Sequence, residues 1–125
     1  SDNFDTGTDF YADSDALTLF NASGSAPVYA CRAWVSFNGT GTVAIRSSGN
    51  VSSITDDATG RYTINFTTSM PDSNYSTICT GTGESSTDNN LKVWTSPLPS
   101  TTKVSVVHMG TTYSDTVNGN VAIFR

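Results

Sequence analysis

The sequence predicts an all-β fold, an antiparallel β-sandwich or jelly-roll-like domain with short hairpins and an N-terminal arm. Three observations carry this. Ser and Thr number 18 and 20 in 125 residues, with 10 Asn and 10 Gly, while charged residues make up only 14%. Ser, Thr and Asn compete with a helical backbone for its own hydrogen bonds, and Thr suits a pleated surface. Second, apolar residues recur with period 2 in several runs of four to eight residues. Third, Gly, Asn and Pro punctuate those runs every 6 to 12 residues, the spacing of a sandwich with short strands.

Residues 1–24 show little periodicity and are rich in Asp, with one apolar patch containing Leu17, Leu19 and Phe20. They are expected to form an acidic arm, with a single β domain over 25–125. From Pro27 the alternation sharpens. In VYACRAWVSF, Cys31, Ala33, Val35 and Phe37 share one face, and Arg32, Trp34 and Ser36 the other. TVAIR and VSSIT follow, set off by Asn38-Gly39-Thr40-Gly41 and Ser48-Gly49-Asn50, which read as tight turns between strands. RYTINFTT has the strongest alternation, Tyr62, Ile64 and Phe66 against Arg61, Thr63 and Asn65. YSTICT, LKVWT and KVSVVHM are further strands, and residues 81–90 form a polar loop. A last hairpin is expected between Tyr113–Val117 and VAIF, turned at Asn118-Gly119-Asn120.

The formal charge of −5 and six scattered Lys and Arg offer no basic stripe, so nucleic-acid binding is not expected. No apolar run reaches the ~18 residues of a membrane span, and no membrane insertion is expected. The acidic start lacks the basic and apolar regions of a secretory signal.

Residues that could do chemistry are few. His108 is the single histidine and sits in a strand, where a packed or surface role is expected. Asp5-Thr6-Gly7 matches the aspartic-protease tripeptide but lacks the preceding hydrophobic strand, and reads as a turn in the arm. Asp9, Asp13 and Asp15 form no calcium loop. Glu84 is the only glutamate, so a Glu pair for glycoside hydrolysis is excluded. No catalytic residue, metal or cofactor is expected. Five Asn-x-Ser/Thr sequons follow from the composition. Cys31 and Cys79 are either bridged between strands or two small hydrophobes; two cysteines make no disulfide framework, which favours the second. Trp34 shares its face with Arg32 and Ser36, which suits a second buried face, a subunit interface, or a stacking platform for sugar rings.

The run from Ala26 to Arg46, APVYACRAWVSFNGTGTVAIR, then SGNVSSITD, RYTINFTT and MPDSNY, resembles a module of tailed-bacteriophage tail-fibre and small virion structural proteins. The likeness covers about residues 25–80, nearly word for word. It implies a non-enzymatic virion protein, made in the bacterial host cytoplasm and working as a homotrimer beside other tail or capsid proteins. As a tail-fibre or receptor-binding module it would attach to a host surface glycan through loop tips and aromatics: Trp34, Glu84, Asp88, Asn89, Asn90, Trp94 and Tyr113. As a capsid decoration (cement) protein on the head's outer face, it would anchor through Leu17, Leu19 and Phe20. A secreted bacterial carbohydrate-binding module is a weaker alternative.

Overall fold

The structure, a computed structural model, describes residues 24–83 and 90–125. The chain divides into two units, residues 1–30 and 31–125. Leu17, Leu19 and Phe20 lie outside the described residues. Among the described residues the second unit holds eight strands: β1 Cys31–Asn38, β2 Ala44–Gly49, β3 Val51–Ala58, β4 Arg61–Phe66, β5 Ser76–Thr82, β6 Asn90–Trp94, β7 Lys103–Met109 and β8 Asn118–Phe124. They form two antiparallel sheets, β2-β1-β8-β5 and β3-β4-β7-β6. The fold is all-β, with no helix among the described residues, and the paired sheets make a β-sandwich.

Period-2 alternation builds the core. Ala33, Val35 and Phe37 of β1 and Val121 and Ile123 of β8 face Tyr62, Ile64 and Phe66 of β4 and Val104 and Val106 of β7. The Phe37 and Tyr62 rings meet edge to face across the sandwich at 5.2 Å and 70°, a geometry the ring quadrupoles favour. His108 is fully buried, the packed one of the two roles expected of it. Its Nδ1 lies 2.8 Å from the Ser114 carbonyl, so Nδ1 carries the proton and donates.

Three local expectations are corrected. Strand β1 begins at Cys31 rather than Val28, and a register shift between Cys31 and Ala33 breaks the face they were expected to share. A bulge adds one residue to one strand, which is enough to turn Cys31 outward. Gly49-Asn50 joins strands of different sheets, so it is a corner and no hairpin. Asn50 takes φ 55° there, and its side chain accepts from Thr68 N at 2.7 Å and donates to the Arg32 and Thr68 carbonyls. Asn118-Gly119-Asn120 lies inside β8, and residues 113–117 supply only an isolated bridge, Tyr113 to Met109. Gly119 is required by close approach: a Cβ there would stand 2.6 Å from Cε1 of Phe37. A glycine that reads as a turn is a seat for a core ring.

Both cysteines are free. Strand β8 separates β1 from β5, which holds the two Cα atoms at least two strand spacings apart, roughly 9–10 Å. A disulfide needs less than ~7 Å. Cys79 is a part-buried hydrophobe, its thiol pushed up to about 11 by burial. Cys31 is exposed, so the buried-hydrophobe role fails for it.

Arg125 closes the sheet against the turn after β4, its Nη2 lying 2.7 Å from Asp72 Oδ2. The guanidinium hydrogen bonds, with help from Asn74 N–H, hold the Asp72 carboxyl at about 2. A lowered carboxyl contributes stability above its ordinary value near ~4 and loses it as pH falls through the folded value. Asp72→Asn is therefore expected to abolish part of the stability loss between pH ~4 and ~2. Carboxyl NMR gives the check: an Asp72 midpoint at the ordinary value would contradict the pairing.

Candidate binding groove

The outer face of the β3-β4-β7-β6 sheet follows from the same alternation that builds the core. Because Tyr62 and Ile64 turn inward on β4, Arg61, Thr63 and Asn65 turn outward. On β7, Lys103, Ser105 and Val107 do the same. Register then sets them in rows. Thr63 pairs with Ser105 and Ser105 with Trp94; Arg61 pairs with Val107 and Val107 with Lys92; Asn65 pairs with Lys103.

Trp94, at the end of β6, is the centre of this face. Its indole Nε1 donates to the Ser96 carbonyl at 2.7 Å, which folds the following loop back toward the sheet. The Arg61 guanidinium carbon stands 4.9 Å from the indole centroid, and the Tyr113 ring meets Trp94 edge-on at 6.1 Å and 80°. Thr63 Oγ1 donates to Asp57 Oδ2 at 2.5 Å and lies 3.1 Å from Ser105 Oγ. Asp57, Arg61, Thr63, Trp94, Pro97, Lys103 and Ser105 surround a groove of about 200 Å³. The groove combines an apolar indole wall, hydroxyls, two cations and one carboxylate. That mixture suits a polyhydroxylated ligand with apolar C–H faces.

Of the residues expected to bind, Trp94 lines the groove and Tyr113 packs against its indole without lining it. Asn90 is exposed on the same strand and, by alternation, the same face as Trp94. Glu84, Asp88 and Asn89 lie outside the described residues. Trp34 is elsewhere, on the outer face of the β2-β1-β8-β5 sheet, 42% exposed, so among the described residues it belongs to no second buried face. A cross-strand row runs Gly49–Trp34–Ala122–Ile78. The indole lies across Gly49, where a Cβ would clash with Trp34 Nε1. Ile78 is 56% exposed, and the row borders a shallow apolar groove of about 260 Å³.

Sequence reasoning missed Asp57, Arg61, Thr63, Lys103 and Ser105. The alternation in RYTINFTT set Arg61 and Thr63 opposite the apolar face, while KVSVVHM read only as a strand, with no face assigned to Lys103 or Ser105. Which strands lie beside Trp94 is not a local property. Among the described residues no cluster of His, Cys, Asp and Glu could hold a metal. Comparison of the chain with protein-family models, curated proteins and solved structures finds no match.

Proposed function

We propose that the chain is a non-enzymatic structural protein of a tailed-bacteriophage virion, a homotrimeric tail-fibre or receptor-binding module that attaches to a host surface glycan through the Trp94 groove. The observation that carries this is the Trp94–Tyr113 pair beside Arg61, Asp57 and paired hydroxyls on a rigid sheet. The resemblance over residues 25–80 supports the virion setting. Trimeric presentation would multiply a weak single-site affinity.

On an array of bacterial surface polysaccharides, the protein is expected to retain a defined subset. Trp94→Ala should weaken that retention by at least about tenfold, the scale of ~1.4 kcal/mol for losing an aromatic contact. Trp94 is half-buried and its indole contacts Ser96, Arg61 and Tyr113, so some stability is lost with it, and retention is compared at a temperature where circular dichroism shows the variant folded. Unchanged retention by the variant would sink the assignment of the groove.

Capsid decoration is the second reading, and the exposed row of Trp34, Ala122 and Ile78 supports it, since an apolar face rimmed by polar residues suits a seat on another protein. Imaging of labelled virions separates the two: copies over the whole head support decoration, and copies confined to the tail support the fibre.

A further inference from the structure

Six basic residues are all this chain has against a formal charge of −5. Three of them, Arg61, Lys92 and Lys103, stand on the outer face that carries the groove. Arg61 and Lys103 line it. The rows set them on opposite sides of the Thr63–Ser105–Trp94 row, so the indole has a cation on each flank.

The Arg61 guanidinium makes no ion pair with a described residue. Among the described residues the ion pair is Arg125 with Asp72, and the Arg61 Nε has no hydrogen-bond partner. Asp57, the carboxylate that lines the groove, is engaged by the Thr63 hydroxyl. A guanidinium lying on an indole is already ordered, so little further entropy is lost when it binds. Its planar N–H fork matches a carboxylate in a bidentate pair. A neutral ligand covering the groove would strip water from that fork without replacing it, which is unfavourable.

We infer that the groove selects an acidic sugar, with the ligand's carboxylate held by the Arg61 fork, Lys103 adding attraction from the opposite flank, and its ring hydroxyls met by Thr63, Ser105 and Asp57. This rests on the glycan reading above and names the class of glycan.

The test is calorimetric titration of the protein with oligosaccharides of galacturonic, glucuronic and N-acetylneuraminic acids, each alongside its methyl ester. The ester keeps the ring and removes the charge. At least one acid is expected to bind about tenfold or more tighter than its ester, with the preference shrinking as ionic strength rises. Arg61→Gln should erase the preference, and Arg61→Lys should restore only part of it, because an ammonium cannot form the fork. Lys103→Gln alters an exposed side chain and should reduce the preference without loss of folding. Acid and ester binding equally, or a preference surviving both glutamine variants, overturns the acidic-sugar inference while leaving the groove a neutral-glycan site. No retention of any sugar, charged or neutral, overturns the glycan reading with it.

Discussion

Gly60→Ala is expected to destabilise the domain by about 2–5 kcal/mol, from ~1–2 for the backbone conformation and ~1–3 for overpacking. Gly60 closes the β3–β4 hairpin at φ +70°, a region L side chains rarely adopt. A Cβ there would also stand 2.5 Å from the His108 carbonyl oxygen and 2.6 Å from that of Ser114. Those neighbours are backbone and cannot rotate away. They are also committed elsewhere: His108 N donates to the Gly60 carbonyl at 2.7 Å, and Ser114 N donates to the His108 carbonyl. Such a loss is a large share of the ~5–15 kcal/mol that holds a domain folded. Gly41→Ala is the control, since Gly41 has φ +59° with nothing within 4 Å of the added Cβ. It should cost only the conformational part. Equal shifts in urea midpoint for the two variants would show that the crowding at Gly60 is absent.

Tyr62→Phe should cost about 1–3 kcal/mol, although it removes a single atom, because the hydroxyl ties three segments together. The Thr116 N–H donates to it at 3.1 Å, and it lies 3.1 Å from both the Gly39 carbonyl and Asp115 Oδ1. Phenylalanine keeps the ring against Phe37 but leaves the Thr116 N–H without its partner in a fully buried site. Burial, with smaller contributions from Asp115, raises the phenol above its ordinary value; the Thr116 hydrogen bond works against that. A raised group contributes stability that is present below its unfolded value near ~10 and fades as pH climbs beyond it. The variant should therefore lose this component of alkaline unfolding. Asp115 Oδ1 also accepts from Gly60 N at 2.8 Å. The Gly60 and Tyr62 substitutions thus act on one network, and their effects should not add. A phenylalanine variant as stable as the parent would remove the hydroxyl from the account.

How much of this was written locally in the chain can be judged residue by residue. Tyr62, Ile64 and Phe66 announced a core face, and the same alternation turned Arg61 and Thr63 outward. The class of fold therefore followed from pattern alone. Gly119 misled, and Gly49 told only half its role, because glycine marks a turn and a place for an aromatic ring with the same letter. Phe37 and Trp34, which occupy those places, reach them from other strands. The groove was half legible. Trp94 and Tyr113 stood out as aromatics, yet nothing nearby in sequence says that Arg61, 33 residues earlier, lies over the indole. That neighbour is set by β7 pairing with both β4 and β6, a long-range register that no local period encodes. Cys31 failed for a similar reason, since one bulge reversed its face.

The chain has two tryptophans, one on each outer face, and each gives one indole N–H signal in a nitrogen–proton NMR spectrum. Trp94→Phe assigns them. Titration with a polysaccharide fragment retained on the array is expected to shift the Trp94 signal, whose N–H is held by Ser96, while Trp34 stays in place. Movement of Trp34 with Trp94 still would contradict the account and shift attachment to the opposite sheet.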